Sequence, residues 1–328
     1  MGTDRNRTAG IAMYLVAAAL FALFGTMSKA AFAVGMDPLH WTQLRNIGAA
    51  VLMLAIVAAW APRGFRIHWR DLGFLLAYGA VAFMLVQYLY FLTVSRLPVG
   101  IGTLLVFLAP IGVVVWLRFI RRRPVGPLVW LALGLAVGGL ALVAEAWQGI
   151  RLDGVGVAAG LACAIALALY WLMGERGAQQ RDALSLTMWG FVFASLGWAV
   201  VAPWSGFPWA VLTRDATPIN EAWPVPVWSI MAWGVVLGTV VPFLLVVGSL
   251  RRIGSQRAGI VGTTEPLWAV GFGLLLLGES LSVVQGLGAL IVVAGIVTAE
   301  IAGSRAGTPA AAIPSEAPAG PGAVGSVR

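Results

Sequence analysis

The sequence predicts an all-α integral membrane protein with ten transmembrane helices. Of its 328 residues, 60% are hydrophobic and only 10% are charged, whereas an ordinary soluble domain carries roughly 25% charged residues. A helix needs about 20 predominantly apolar residues to cross a hydrocarbon core about 30 Å thick, because each buried backbone group must be paired within the segment. Nine uncharged runs and a tenth run with a single acid, Glu265, approach or exceed this length: 9–28, 46–62, 72–95, 97–117, 124–144, 154–174, 183–213, 222–250, 280–299 and 258–278.

The basic residues predict how these helices are oriented. With the N-terminus placed inside, three Lys and Arg residues fall on the outer side, and Lys29 and Arg45 lie within or at the edges of the predicted helices. Such an excess on one side is the positive-inside rule, so we expect both termini in the cytoplasm. The inner residues are Arg5, Arg7, Arg63, Arg66, Arg70, Arg118, Arg121, Arg122, Arg123, Arg176, Arg181, Arg251, Arg252, Arg257, Arg305 and Arg328.

The spacing of the runs predicts two halves. We place a cytoplasmic N-terminus at 1–8, a first five-helix unit at 9–146, a second at 153–302 and a disordered cytoplasmic tail at 303–328. Five is odd, so equivalent helices of the two units cross the membrane in opposite directions, as in the inverted repeats of transporters. A shift of 156 residues aligns Arg96 with Arg252, Pro110 with Pro266 and Gly139 with Gly295 without a gap.

Small residues and prolines within the runs suggest close packing and kinks. Glycine pairs such as Gly134–Gly138, Gly271–Gly273 and Gly288–Gly295 are typical of helices that approach closely in a bilayer. Pro110 and Pro266 each remove a backbone donor inside an apolar run, which can kink the helix.

Glu265 is the most informative single residue. An acid at the centre of a transmembrane helix costs about 2.5–3.5 kcal/mol on insertion scales. The functional interpretation is a proton carrier or substrate ligand that faces a wet cavity, and the alternative is a neutral or hydrogen-bonded structural acid. Lys29 and Arg45 either extend to the outer interface, make the outer half of a cavity positive, or pair with Glu265.

Polar and aromatic side chains provide further candidates for the cavity. Gln87, Tyr90, Tyr170 and Trp171 offer hydrogen-bonding or stacking surfaces, although interface anchoring and helix packing also explain such residues. The two histidines make no metal spacing, and no Walker-type glycine loop is present. We therefore expect no metal, no cofactor and no ATP hydrolysis within this chain. Because the basic residues are not gathered on a soluble surface, we also expect no nucleic-acid partner.

Short motifs occur in order along both halves. The second half contains Thr264-Glu265-Pro266-Leu267, Leu277-Gly278-Glu279, Gln285, Gly288 and Gly295, and the first contains Phe24-Gly25, Lys29, Pro38, Arg45 and Ala109-Pro110. With these motifs the chain resembles the EamA family of the drug/metabolite transporter superfamily. The resemblance implies ten helices in two inverted five-helix repeats around a central cavity. It also implies export or exchange of metabolites such as amino acids, often driven by protons. Carried over to this sequence, it favours Lys29, Gln87, Tyr90, Tyr170, Trp171, Thr263 and Glu265 as cavity residues.

The leading functional hypothesis is a secondary transporter in a bacterial cytoplasmic membrane. It would export a small polar or amphipathic metabolite by alternating access, with proton coupling at Glu265. The alternative is an uncoupled permease or one that works in the uptake direction. An integral membrane enzyme would need a cluster of acids, histidines or a nucleophile with its base near one interface, and the sequence shows no such cluster. The choice between monomer and homodimer stays open.

Overall fold

The computed structural model describes residues 2–109, 126–143, 152–178, 180–217 and 223–305. The described chain is largely helical. Its helices are α1 (Gly2–Ala33), α2 (Pro38–Trp60), α3 (Trp69–Tyr78), α4 (Val86–Arg96), α5 (Val99–Val106), α6 (Pro127–Val143), α7 (Gly154–Ala178), α8 (Ala183–Val201), α9 (Trp209–Leu212), α10 (Val227–Val235), α11 (Val241–Gly262), α12 (Glu265–Leu277) and α13 (Val283–Arg305). Short 3-10 helices cover Pro62–Phe65 and Trp204–Gly206, and a two-stranded antiparallel ribbon pairs Asp215–Ala216 with Val225–Pro226.

Several of these helices are suited to a bilayer. In the described part of the chain, six helical segments are long and apolar enough to span a membrane: Asn6–Ala33, Pro38–Trp60, Trp69–Arg96, Gly154–Gly174, Ala183–Val201 and Val227–Val246. Three shorter apolar segments are Trp130–Val143, Glu265–Leu277 and Val283–Ala299. The prediction of a multi-pass helical membrane protein is therefore confirmed.

Two of the long segments contain a π-helical turn. Gly79–Leu85 joins α3 to α4, and Val236–Val240 joins α10 to α11. A π-turn inserts an extra residue and frees a backbone carbonyl from the regular ladder. In the first π-turn, the carbonyl of Phe83 is bound by helix α2: the Asn46 side-chain amide donates to it at 2.9 Å. The two turns lie at nearly equivalent positions under the 156-residue shift.

Two helices are also interrupted at equivalent positions. After α5, Phe107 and Leu108 form a turn, and after α11 a turn is formed by Thr263 and Thr264. The Leu108 amide donates to the Leu105 carbonyl at 3.2 Å, and the equivalent Thr264 amide donates to Val261 at 3.1 Å.

This interruption corrects the prediction of a kink at Pro266. Pro266 lies in the first turn of a new helix, α12, where the missing N–H is not needed by the helix. Its predicted counterpart Pro110 lies outside the described residues.

The contact between α6 and α13 is symmetric. A Cβ added to Gly139 would lie 2.7 Å from the Val292 amide nitrogen, and one added to Gly295 would lie 2.9 Å from that of Ala136. The shift of 156 residues exchanges Gly139 with Gly295 and Ala136 with Val292, so each contact maps onto the other. The numbering of the pairs runs in opposite directions, so the two helices cross antiparallel. A twofold axis that relates the two contacts is therefore roughly perpendicular to both helices.

The glycine prediction is only partly correct. Gly288 joins this contact, since an added Cβ would lie 2.7 Å from the Gly139 carbonyl oxygen. Gly134, Gly138 and Gly271, by contrast, have no atom within 4 Å of an added Cβ. Their lack of side chains is not required by the described neighbours.

Some helix limits also differ from the predictions. α2 begins at Pro38 rather than near 46, because Asp37 caps it by accepting from the amides of Leu39 and His40 at 3.1 and 3.2 Å. Arg45 therefore lies two turns inside the helix. The basic segment 251–257 is part of helix α11, not a connector. α13 continues to Arg305, and the rest of the predicted tail lies outside the described residues.

The symmetric contact predicts that substitutions of two neighbouring glycines differ sharply in their effect on stability. Gly139→Leu places a side chain where the α13 backbone lies, and overpacking of this kind costs about 1–3 kcal/mol or more. The thermal melting temperature of the purified protein in detergent should fall. Gly138→Leu, on the open side of the same helix, is the matched control and should melt near the wild-type temperature. Equal melting of the two variants would contradict the described packing.

Candidate functional site

The centre of the molecule holds a buried cation, Arg45 of α2, which is only 7% exposed. Its Nε donates to the Thr239 hydroxyl at 2.9 Å, and one terminal nitrogen donates to Gln87 Oε1 at 3.0 Å. The other terminal nitrogen lies 3.4 Å from the Gly238 carbonyl oxygen. Thr239 and Gly238 belong to the second π-turn, and Gln87 follows the first. Arg45 therefore connects the helices that contain the two π-turns, one in each half.

Two aromatic rings pack near the Arg45 guanidinium. Its central carbon lies 5.2 Å from the centroid of the Phe24 ring and 5.3 Å from that of Phe91. Both distances are within the roughly 6 Å range of cation–π attraction. Phe24 in turn packs on Gly234 and Gly238, where an added Cβ would collide with the ring. A charge with this set of neighbours is held inside the protein, so the prediction that Arg45 extends to the interface is wrong.

Glu265 lies near this cation. It is the first residue of α12 and is partly buried. Glu265 lies within electrostatic range of Arg45 and Tyr90 and makes no hydrogen bond to any residue that the structure describes. The N-terminal end of a helix carries a partial positive charge that favours a carboxylate. The acid thus faces a positive environment without being fixed by a direct partner.

Tyr90 supplies a free hydroxyl at the same centre. The hydroxyl lies directly over Gly25 of α1 and is buried, yet it has no hydrogen-bond partner in the described part of the chain. The neighbouring Thr103 hydroxyl donates to the Val99 carbonyl at 2.9 Å and keeps lone pairs toward Tyr90, but the two hydroxyls do not meet in hydrogen-bonding geometry. Buried hydroxyl groups usually have partners, so an unpaired one beside Glu265 indicates a place for a polar ligand or water.

Lys29 does not belong to this centre. Its Nζ donates to Glu279 Oε1 and to the Leu97 carbonyl oxygen, both at 2.6 Å. The predicted pairing with Glu265 is therefore wrong, because the partner is the acid that follows α12. The motif Leu277-Gly278-Glu279 contained this partner without indicating its role.

The other predicted cavity residues lie apart from Arg45 or cannot be placed. Tyr170 packs against Tyr78 and Phe83 in a second aromatic cluster, at centroid distances of 5.9 and 6.2 Å. Thr263 is buried in the turn before α12. The side chain of Trp171 lies outside what the structure describes. Gln87, Tyr90 and Glu265 are the candidates that the fold brings together.

Sequence reasoning left Arg45 open between the outer interface, the cavity and a pairing with Glu265, and did not assign it to the site. The prediction began each helix where uncharged residues begin, which placed Arg45 at an edge. The sequence did contain the better signal, because Asp37-Pro38 is a capped start with proline in the first turn. A helix that begins there carries Arg45 on its second turn. No sequence signal indicated the π-turns that Arg45 and Asn46 bind.

A helical multi-pass membrane protein whose halves meet at buried polar and charged side chains is typical of a membrane transporter. The model of the EamA-like transporter family matches residues 8–144 and again residues 154–299. The two matches cover most of the chain, and the protein belongs to this family.

Relatives and a solved structure agree with this assignment. The chain is 28% identical over 288 residues to the threonine/homoserine exporter RhtA of Escherichia coli, covering 86% of this chain and 88% of the relative. It is 25% identical over 304 residues to the uncharacterized inner membrane transporter YicL of Salmonella typhimurium, covering 90% and 96%. A crystal structure with 16% sequence identity superposes with a TM-score of 0.57 over 90% of this chain and 98% of the other, which shows a common fold.

The geometry predicts that Arg45 cannot be replaced by another cation. Lys keeps the charge but is a single point donor, so it cannot bridge Thr239 and Gln87 as the planar guanidinium does. Arg45→Lys should lose at least one charge-assisted hydrogen bond, each of which contributes about 1.5–3 kcal/mol. The melting temperature in detergent should fall. Arg96→Lys, at a side chain that is 45% exposed, is the matched control, and an equal effect of both substitutions would argue against a structural role for Arg45.

Proposed function

We propose that the protein is a secondary transporter that exports a small polar metabolite, an amino acid or a related compound, across the bacterial cytoplasmic membrane. The observation that carries the proposal is the group formed by Arg45, Glu265 and the unpaired hydroxyl of Tyr90 at the meeting point of both halves. Intramembrane ionisable residues of this kind mark substrate and ion pathways. The names of the relatives RhtA and YicL agree with transport, and RhtA is an exporter of threonine and homoserine.

The proposed architecture is ten transmembrane helices in two inverted repeats of five. It is supported by three features that recur after 156 residues or nearly so: the π-turns, the helix interruptions and the reciprocal glycine contacts between α6 and α13. The proposed topology places both termini in the cytoplasm, which the distribution of Lys and Arg supports. Transport then proceeds by alternating access, as one repeat rocks against the other around the central site.

The chemistry of the centre fits an amino acid as substrate. Glu265 can accept from an ammonium group, and the Tyr90 hydroxyl can donate to a carboxylate or accept from an amine. The positive charge of Arg45 favours an anionic group nearby. In the exporter cycle, Glu265 alternately holds a proton and the substrate ammonium, which couples the outward movement of substrate to the inward movement of protons.

Proton coupling at Glu265 predicts that Glu265→Gln abolishes transport driven by a pH gradient. The amide keeps the size of the side chain but cannot take up or release a proton, so a pH gradient should no longer drive transport in proteoliposomes. Exchange of labelled for unlabelled substrate at equal pH should remain measurable, although slower. Asp153→Asn, at a 39% exposed carboxylate, is the control and should keep the pH response. A Glu265→Gln protein with unchanged pH dependence would favour an uncoupled permease.

Because the Tyr90 hydroxyl is unpaired, we expect Tyr90→Phe to weaken substrate binding without lowering stability. Removing a buried hydroxyl that has no partner costs no protein hydrogen bond, so the melting temperature should stay the same or rise. The apparent substrate affinity should fall by about fivefold or more, since the ligand loses one hydrogen bond of about 1 kcal/mol or more. Counterflow of labelled threonine, homoserine and other amino acids measures the affinity. A variant that is as active as wild type would remove Tyr90 from the substrate site.

A further inference from the structure

A second charged group lies near the end of α1, away from the Arg45 centre. The Lys29 ammonium is 2.6 Å from Glu279 Oε1, and the side chains are 26% and 14% exposed. Lys29 belongs to the first helix of the first half, whereas Glu279 follows α12 in the second half. This ion pair therefore connects the two halves directly.

Both charges also bind the corner between α4 and α5. Lys29 donates to the carbonyl of Leu97, the C-terminal cap of α4, at 2.6 Å. The Glu279 carboxylate accepts from the Val99 amide, the first of α5, at 2.9 Å. A cation at the C-terminal end of a helix and a carboxylate at an N-terminal end both match the helix dipoles. We call Lys29, Glu279 and the corner 97–99 the latch.

Two glycines place Glu279 in the latch. Gly278 adopts a left-handed conformation with φ of 63°, which ends α12 and reverses the chain. The Glu279 amide then donates to the Gly273 carbonyl at 3.0 Å. A Cβ at Gly273 would lie 2.5 Å from Glu279 Oε2, so only glycine leaves room for the carboxylate. The acid is thus held in one position by its own helix end.

The latch lies between the central site and one end of the helix bundle. Lys29 is one helical turn, about 6 Å, beyond Gly25, on which the Tyr90 hydroxyl lies. Glu279 follows the end of α12, whose first residue, Glu265, is about 18 Å away along the axis of a helix of 13 residues. In the proposed topology this end faces outward.

We propose that the latch is the outer gate of the transporter, closed in the present structure and broken when the central site opens to the outside. This inference rests on the proposed function and orientation. All latch contacts are made by charged groups and backbone ends that water can satisfy once they separate. The glycine contacts between α6 and α13, in contrast, bury backbone against backbone. The latch, unlike the glycine contacts, is therefore suited to open and close.

The gate is tested by the access of an impermeant maleimide to the central site. Cys163 is the one cysteine of the sequence, so Cys163→Ala provides a background for the reporter Thr103→Cys, which lies beside Tyr90. Right-side-out membrane vesicles are labelled from the outside. Lys29→Met and Glu279→Gln should each increase the labelling rate severalfold. The double variant should be no faster than the faster single variant, because both substitutions remove the same contact.

Two controls keep the test decisive. Lys29→Arg retains the charge and should label at the rate of the background protein. The double variant Arg96→Gln/Asp153→Asn removes an exposed ion pair, 3.4 Å long, between the end of α4 and the segment before α7, and should also leave the rate unchanged. Labelling of all latch variants at the background rate, or an equal increase in the Arg96 control, would overturn the proposal. If Lys29→Met fails to fold, Lys29→Gln is measured instead, and if Glu279→Gln fails to fold, Glu279→Ala is measured instead.

Labelling and counterflow together distinguish a failure of the latch proposal from a failure of the proposed function. Counterflow of amino acids by the wild-type protein tests transport without reference to the latch. Normal counterflow with unchanged labelling would remove only the gate. A severalfold increase in labelling without any counterflow would keep the gated site and remove the proposed transport of amino acids.

Discussion

The structure depends on keeping one positive charge inside the membrane. Among the described residues no carboxylate contacts Arg45 directly, and its charge is satisfied by three oxygens from Thr239, Gln87 and Gly238 and by the rings of Phe24 and Phe91. An ionised side chain within a bilayer is tolerated only where the protein supplies such partners. The requirement determines the local geometry, because the π-turn exposes the acceptors of the second half and Gly234 and Gly238 admit the ring of Phe24.

Three of the contacts that connect the two halves differ in how easily they separate. The contact of α6 with α13 is backbone against backbone and suits a permanent axis. The Arg45 centre is polar but enclosed by aromatic rings, and it suits a fixed site around which helices move. The latch of Lys29 and Glu279 is ionic and partly exposed, and it suits repeated opening. Such a gradation is what alternating access requires of a protein with two similar halves.

Much of this fold could be predicted from the sequence, because the bilayer imposes a simple rule on helix length and composition. The apolar runs, the intramembrane acid Glu265 and the 156-residue shift all followed from that rule and from the spacing. The rule failed where a charge lies inside a helix: Arg45 was taken as an edge, and the basic residues of α11 were taken as a loop. Hydropathy has no information about partners, so it could not distinguish a buried, paired charge from one at the interface.

The pairing of side chains was equally beyond the sequence. Lys29 and Glu279 are 250 residues apart, and only the packing of α1 against the end of α12 brings them together. The family resemblance grouped Gln87, Tyr90, Glu265 and Tyr170 as cavity residues, and that grouping stays a prediction. In the structure Tyr170 packs with Tyr78 and Phe83. The π-turns have no pattern in the sequence and become visible only through the carbonyl that Asn46 binds.

Binding of substrate at the Arg45, Glu265 and Tyr90 centre can be tested by a cryo-electron microscopy structure of the wild-type protein with a transported amino acid, in lipid nanodiscs. We expect ligand density with polar atoms about 2.7–3.2 Å from the Tyr90 hydroxyl and the Glu265 carboxylate. Density beside the Tyr78 and Tyr170 cluster, with the Tyr90 hydroxyl still unoccupied, would contradict binding at this centre.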